Sequence, residues 1–214
     1  MRKISEQIAG YLLEIEAIRL RPNEPFQWAS GWLSPIYCDN RLTLSFPQIR
    51  TFIKNAFVQA IEHYFPKVEC IAGVATAGIP QASLIADTMN LPLVYVRSEA
   101  KKHGLGNQIE GKITPHQKVV VIEDLVSTGG SSAKVIEALQ KANYEVLGIV
   151  SVMNYGFEQA EKVFENLNVP FISLTTFQDV IVEAMKRDLI NEKAMAILQE
   201  WRKNPENWGK TIQI

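Results

Sequence analysis

The apolar residues of this chain follow two patterns, stripes at helical spacing and continuous runs rich in β-branched residues. Stripes with an apolar residue at every third or fourth position are typical of amphipathic helices, whereas continuous apolar runs are typical of strands buried on both faces. The stripes predict helices over 2–18, over 45–64, from about 80, over 132–142, up to 168, and one or two helices over 178–203. The runs predict strands over 70–74, 93–97, 119–122, 145–153 and 170–174.

Strands and helices alternate over residues 70–174, which predicts an α/β fold with a doubly wound parallel sheet. Ligands of such sheets bind at the carboxyl ends of the strands. Ahead of this region, the segment from Pro25 to Arg41 alternates and turns at Ser30-Gly31. It predicts a hairpin with strands near 26–30 and 35–40.

The stretch from Lys118 to Ser132 carries the strongest functional signal. Its apolar run ends on two carboxylates, Glu123 and Asp124, and small residues with two glycines follow before the next helix. A buried carboxylate is unfavourable unless it is hydrogen-bonded or paired, so we expect hydroxyl groups or a cation beside this acid pair. Backbone N–H groups at a helix start form an anion site when glycine exposes them. Two carboxylates can hold the hydroxyl groups of a diol, and the glycine loop can hold a phosphate. Together they indicate that the ligand contains a ribose 5-phosphate.

An ordinary strand-to-helix turn is the structural alternative, with glycine needed for geometry and serine for the helix cap. That alternative leaves Glu123 and Asp124 unexplained. The stretch is not a Walker A loop, because no Lys-Ser or Lys-Thr follows the glycines, and it is not the dinucleotide-binding GxGxxG motif.

Strand, acid pair and Ser-Thr-Gly-Gly-Ser resemble the signature of type I phosphoribosyltransferases, which bind 5-phosphoribosyl 1-diphosphate (PRPP). A second stretch, Tyr95 to Gly111, resembles the catalytic loop of orotate phosphoribosyltransferases. The resemblance covers essentially the whole chain. It implies the type I fold in one domain over 1–214: a mostly parallel five-stranded core sheet flanked by helices over about 45–175, and a small hood subdomain. The hood would comprise about 1–44 and about 176–214.

The resemblance also implies the site residues and the cofactor. Mg²⁺ would be bound mainly through PRPP, with no dedicated metal ligands in the protein. Lys101, His103 and Asp124 would be catalytic, and Ser127 would also contact orotate. The residues expected to bind PRPP are Arg97, Lys101, His103, Glu123, Asp124, Leu125, Val126, Ser127, Thr128, Gly129, Gly130 and Ser131.

A second strand-to-helix loop, Ala75 to Gly78, is where the family binds the diphosphate of PRPP. Relatives of the enteric type have Tyr-Lys in this loop, whereas this chain has Thr-Ala. Charge neutralisation there is expected from backbone donors and the metal. Taken alone, the loop also fits a plain βα turn.

Two further positions differ from the enteric type. Ala29 stands in place of a lysine of the hairpin, so no catalytic lysine is expected there, and Tyr37 is left without an assigned role. Met153-Asn154-Tyr155-Gly156 stands where those relatives have an arginine for the orotate carboxylate. Orotate recognition is then expected to depend on Ser127, backbone amides and the hood.

Residues 98–112 contain three glycines and almost no periodicity, so we expect neither helix nor strand but a lid that closes over the site. In the family this lid reaches the site of the neighbouring subunit. The resemblance therefore implies a homodimer that shares Arg97, Lys101 and His103 across subunits.

Composition narrows the alternatives. With 47% hydrophobic and 21% charged residues and a net charge of −1, the chain shows no basic stripe for nucleic acid. No apolar run approaches the about 18 residues of a membrane span, and no secretory leader is recognised, so a cytoplasmic location is expected. Cys38 and Cys70 are expected in apolar packing. Two other functions stay open: transfer to another base, such as a purine, and a PRPP-sensing regulator that binds nucleic acid.

Overall fold

The computed structural model describes residues 2–28, 30–98, 108–112 and 114–209, so Ala29, Lys101 and His103 lie outside the described residues. The strands are β1 (Ile18–Leu20), β2 (Phe26–Gln27), β3 (Leu33–Ser34), β4 (Ile36–Cys38), β5 (Cys70–Val74), β6 (Leu93–Val96), β7 (Ile109–Glu110), β8 (Lys118–Val126), β9 (Glu145–Asn154) and β10 (Phe171–Thr176). The α-helices are α1 (Arg2–Glu14), α2 (Pro47–Tyr64), α3 (Gly78–Met89), α4 (Gly130–Lys141), α5 (Glu158–Asn166), α6 (Phe177–Lys186), α7 (Glu192–Lys203) and α8 (Pro205–Trp208). A 3-10 helix covers Asn40–Ser45.

The central sheet has six strands in the order β10-β9-β8-β5-β6-β7. The five strands from β10 to β6 are parallel, which confirms the predicted five-stranded parallel sheet. The sixth strand, β7, pairs antiparallel with β6 at the edge. The prediction of no strand over 98–112 was therefore wrong at Ile109 and Glu110. Two residues are too short to show a period, but their pairing satisfies backbone groups of β6 that an edge strand leaves free.

Apolar side chains cover both faces of the sheet. Along β8, Val120 and Ile122 face one core, and Val119 and Val121 face the other. All four are fully buried. The continuous β-branched run is therefore explained, as predicted, by burial of the strand on both faces, since helices pack on both faces of a parallel sheet.

The N-terminal segment differs from the prediction in its strand pairing. Helix α1 ends at Glu14, four residues early, because Glu16 takes a positive φ of 56° and Ile18 begins β1. The hairpin forms between β2 and β3, whereas β4, in the segment predicted as its second strand, pairs with β1 instead. This pairing buries Ile18 and Ile36 in the core, which a hairpin with β2 would not require.

The C-terminal helices pack on the N-terminal segment through α7 and α8. The indole Nε1 of Trp201 donates a hydrogen bond to the Leu33 carbonyl over 3.1 Å. Helix α8, which carries Trp208, contacts β3. In the described part of the chain, no helix has both the length and the apolar character to cross a membrane.

Candidate active site

The acid pair lies inside β8, not after its end as predicted. Strand β8 pairs with β5 only as far as Ile122, but on the other side it continues along β9, where Glu123 lies opposite Ser151 and Leu125 opposite Met153. The sheet is therefore open on the β5 side of Asp124. The apolar run could not indicate this, because one neighbouring strand is enough to continue β8 through polar residues.

Glu123 is the buried member of the pair, with 4% of its surface exposed. Its carboxylate accepts hydrogen bonds from the Ser132 hydroxyl and from the Asp124 N–H, each over 3.0 Å. The hydroxyl partner expected beside the acid pair is thus Ser132. Burial, together with the charge of Asp124, raises the pKa of Glu123 well above its usual range. Glu123 consequently ties the first turn of α4 to β8.

Asp124 is only partly buried, and its side chain remains within hydrogen-bonding distance of the Glu123 side chain. Burial raises the pKa of its carboxyl, while hydrogen bonding with Glu123 and the charge of Arg41 act in the opposite direction. Its main-chain carbonyl accepts a hydrogen bond from the Asn40 side chain over 2.7 Å. Asp124 is therefore the carboxylate of the pair that a ligand can reach.

The predicted phosphate loop connects β8 to α4. Gly129 caps the helix with φ +80°, a conformation that side chains other than glycine rarely adopt. Gly130 and Ser131, the first residues of α4, are exposed, and a Cβ added at Gly130 would meet nothing within 4 Å. The first N–H groups of a helix have no partner within the helix, so this end of α4 can donate to an anion.

The second loop, Ala75 to Ala77, leads from β5 into α3 and contains a cis peptide bond between Ala75 and Thr76. Helix α3 begins at Gly78, directly against β8. A Cβ added at Gly78 would lie 2.5 Å from the Ile122 carbonyl oxygen and 3.5 Å from the Glu123 Cα. The two loops are therefore neighbours at the carboxyl edge of the sheet, with the acid pair between them.

Three residues that sequence reasoning missed lie beside Asp124. Asn40, Arg41 and Gln81 line one narrow crevice together with Ala77 and Asp124. Asn40 is 3% exposed, and its carbonyl accepts a hydrogen bond from the Thr43 hydroxyl over 2.6 Å. A sequence signal for the first two existed, since Asp-Asn-Arg follows an apolar strand as the acid pair follows its own apolar run.

The carboxyl end of β9 holds an aromatic cluster around Tyr155. Its ring centroid lies 5.2 Å from that of Trp28, 5.5 Å from that of Phe157 and 5.7 Å from that of Trp201. Tyr155 is 1% exposed, and burial raises the pKa of its hydroxyl well above the usual range. The residue that stands near the enteric arginine position is thus a packed core residue.

Arg97 follows β6 at the base of the predicted lid. Its main-chain N–H donates a hydrogen bond to the Gln108 carbonyl over 3.0 Å, and its main-chain carbonyl accepts one from the Gln108 side-chain amide over 2.8 Å. Its Nε lies 3.6 Å from a carboxylate oxygen of Glu110. Lys101 and His103, between these residues in the chain, lie outside the described residues.

A mostly parallel sheet with an acid pair and two strand-to-helix loops at its carboxyl edge is the architecture of the phosphoribosyltransferase class. The model of the phosphoribosyl transferase domain family matches residues 44–186. The chain is 54% identical over 206 residues to the orotate phosphoribosyltransferase of Cytophaga hutchinsonii, covering 96% of this chain and 99% of that protein.

The orotate phosphoribosyltransferase of Listeria innocua serovar 6a is also 54% identical, over 97% of this chain and 99% of its own. The crystal structure of orotate phosphoribosyltransferase from Aeropyrum pernix superposes with a TM-score of 0.74 and 29% identity, over 86% of this chain and 99% of that one. This chain belongs to the orotate phosphoribosyltransferase family.

Proposed function

We propose that this protein transfers the 5-phosphoribosyl group of PRPP to orotate, forming orotidine 5′-monophosphate and diphosphate in the biosynthesis of UMP. The observation that carries the proposal is Asp124, reachable by a ligand and placed between an N-terminal helix end and the Ala75–Ala77 loop. Near full-length relatives that bear the name of this enzyme support the choice of orotate.

PRPP would lie along the carboxyl edge of the sheet. Asp124 would hold the ribose hydroxyl groups, and the N–H and hydroxyl groups of residues 127–131 would hold the 5′-phosphate. Because Glu123 is buried and bonded to Ser132, we assign it the fixing of α4 rather than the main ribose contact. Leu125 and Val126 would contribute backbone, and Ser127 is also the proposed orotate contact.

Displacement at carbon 1 of the ribose develops positive charge on the ring and negative charge on the departing diphosphate. Asp124 stabilises the first charge, and we assign Lys101, His103 and Arg97 to the second. The oxygen donors of Asp124 and of the diphosphate suit Mg²⁺, which binds through one or two carboxylates and substrate phosphates. Mg²⁺ would neutralise the leaving group when bound.

The proposed assembly is a homodimer in which Lys101 and His103 of one subunit complete the site of the other. This proposal depends on the family resemblance. Arg97 directly follows β6, so the proposed lid begins at the carboxyl edge of the sheet, where Asp124 also lies.

The test is the loss of orotate absorbance when the purified protein is mixed with orotate, PRPP and Mg²⁺, with uracil, adenine, hypoxanthine and xanthine in parallel. Consumption of orotate alone is the expected result. Consumption of another base in its place would reassign the substrate, and no reaction with any base would favour a PRPP-sensing regulator.

A further inference from the structure

The diphosphate end of PRPP needs positive charge near the Ala75–Gly78 loop, and this loop has no cationic residue. If Asp124 holds the ribose and residues 127–131 hold the 5′-phosphate, the diphosphate extends from β8 over the neighbouring strand β5. The loop that follows β5 is the one at Ala75–Gly78. Apart from the lid residues Arg97, Lys101 and His103, a protein cation beside this loop has to come from another segment.

Arg41, in the 3-10 helix, lies beside both this loop and the acid pair. It lines the narrow crevice that Ala77 and Asp124 also line. Because Arg41 and Asp124 both line this crevice, the Arg41 guanidinium lies near the Asp124 carboxylate. The N-terminal segment thus brings a cation to the open side of β8.

The orientation of Arg41 is fixed by its own segment. The Asp39 carboxylate accepts two hydrogen bonds from the Arg41 guanidinium, from Nε over 2.6 Å and from Nη2 over 2.9 Å. It also accepts a hydrogen bond from the main-chain N–H of Arg41 over 3.2 Å. In the part of the chain that the structure describes, Nη1 has no hydrogen-bond partner. A guanidinium held on one edge presents its remaining donors without further loss of side-chain entropy.

Gln81 is a second polar side chain of this crevice with a hydrogen-bonding atom that the described residues leave unused. It is 2% exposed, and within the described residues its Oε1 has no hydrogen-bond donor. Buried acceptors without a donor are rare in folded proteins. The crevice is too narrow to enclose a free water molecule, so the missing donor would be a hydroxyl group of the substrate.

We propose that Arg41 binds the diphosphate group of PRPP and supplies the positive charge that the Ala75–Gly78 loop lacks. The proposal rests on the proposed function, since it names the contact of one end of that substrate. Arginine suits the role because its planar donors match phosphate oxygens.

The crevice favours the diphosphate over orotate as the ligand of Arg41. Besides Arg41, its walls are formed by Asn40, Leu44, Ala77, Gln81, Asp124 and Val152. None of these belongs to the aromatic cluster around Tyr155, and Ser127, the proposed orotate contact, is not among them. Arg41 therefore lies on the leaving-group side of the ribose.

The test compares Arg41→Ala and Arg41→Lys with the wild type in calorimetric titrations with diphosphate and, separately, with ribose 5-phosphate, both with Mg²⁺. Arg2→Ala is the matched control, because Arg2 is likewise paired with an acid, Glu6, but lies on α1. For Arg41→Ala we expect diphosphate affinity to fall about 10- to 100-fold, the loss typical of a charge-assisted hydrogen bond, with ribose 5-phosphate affinity unchanged. Arg41→Lys keeps the positive charge but lacks the planar pair of N–H donors, so we expect a smaller loss of diphosphate affinity than for Arg41→Ala.

Unchanged diphosphate affinity in both variants, an equal loss for both ligands, or a selective rise in the KM for orotate would each overturn the assignment. Arg41→Lys decides the question if Arg41→Ala does not fold. A wild-type protein that binds neither ligand and consumes no orotate would instead reject the proposed function. If the wild-type protein binds both ligands and consumes orotate, and the variants behave as the wild type does, only the assignment of Arg41 is rejected.

Discussion

Glu123 and Asp124 are neighbours on β8, but their carboxyl groups have different surroundings and therefore different roles. Glu123 is enclosed and hydrogen-bonded to Ser132, whereas Asp124 is partly exposed and faces the open side of the sheet. A buried group with a raised pKa favours its protonated form, and a reachable carboxylate serves polar ligands. The pair thus combines a structural anchor with a ligand-binding residue.

Glu123→Gln should make the stability of the protein less dependent on pH. Because its pKa is raised in the folded state, Glu123 stabilises the fold fully below the unfolded pKa and loses that contribution as the pH rises through the folded pKa. Between about pH 5 and pH 8, the wild-type Tm should therefore fall more than that of Glu123→Gln. Differential scanning calorimetry would measure this.

Glu158→Gln is the control for that experiment, since Glu158 is exposed and, among the described residues, pairs with Lys162 on the same helix. It should follow the wild type across the pH range. Parallel Tm curves for the wild type and Glu123→Gln would contradict the raised pKa of Glu123.

Asp124→Asn should weaken PRPP binding and turnover together, because the carboxylate acts on the ribose in both the ground state and the transition state. Loss of a charged hydrogen bond of about 1.5–3 kcal/mol predicts a fall in kcat/KM of about 10- to 100-fold. Steady-state kinetics with PRPP varied would measure it, with the exposed Asp87→Asn on α3 as the control. Normal kinetics for Asp124→Asn would contradict the proposal that Asp124 holds the ribose hydroxyl groups.

At the level of elements, the site depends on the different lengths of neighbouring strands. Strand β5 ends at Val74 while β8 continues to Val126, so the start of α3 takes the place beside β8 that a longer β5 would fill. Gly78 makes this close approach possible, because its missing side chain leaves room for the Ile122 carbonyl. The start of α3 and β8 are thereby held in close contact.

Gly78→Ala should destabilise the protein by roughly 1–3 kcal/mol, the usual effect of forcing an extra methyl group into a packed region. The added Cβ would lie 2.5 Å from a backbone oxygen, which cannot rotate away as a side chain can. Urea unfolding would measure the change. Gly130→Ala is the control for stability, since its Cβ would meet nothing within 4 Å, and an equal midpoint shift for both variants would contradict the packing argument.

The sequence predicted those elements that have a long apolar signal. Strand β5 was predicted with its exact ends, Cys70–Val74, because all five of its residues are buried. Strands β1 and β7 were missed, because three and two residues show no period and form only where a partner strand is present. The acid pair was found because it follows a long apolar run, whereas Asn40 and Arg41 follow a strand of only three residues and Gln81 is brought beside Asp124 only by the fold.

At the scale of the whole molecule, the candidate site joins segments that are distant in the chain. Asn40 of the N-terminal segment bonds to the backbone of Asp124, and Trp28 packs on Tyr155 at the end of β9 and on Trp201 of α7. The N-terminal segment is therefore fixed to the sheet on one side and to the C-terminal helices on the other. A substrate held at Asp124 lies where these parts meet, and the lid is the remaining part of the proposed site.

The proposed sharing of the lid across subunits can be tested with two inactive variants. Lys101→Ala should lower kcat by orders of magnitude with little change in PRPP binding, because the lysine acts chiefly on the leaving group in the transition state. If Lys101 completes the partner's site, a hybrid dimer of Lys101→Ala and Asp124→Asn subunits has one site with both changes and one site with neither. Equal mixing of the two variants should then restore about one quarter of the wild-type activity, since half of the dimers are hybrids with one intact site each.

The mixture would be refolded together or coexpressed, and its activity compared with that of each variant alone and of wild type mixed with Asp124→Asn. Half of the wild-type activity in the wild-type mixture shows that one damaged site does not silence the other. Because this value is the same with and without subunit exchange, hybrid formation is verified separately by purifying dimers of differently tagged subunits. If Lys101 served the site of its own subunit, every hybrid would carry one defect in each site, and activity would stay at the level of the separate variants. The experiment therefore distinguishes a dimer that completes its sites by exchange of lids from two independent active sites, without any assumption about the geometry of residues 99–107.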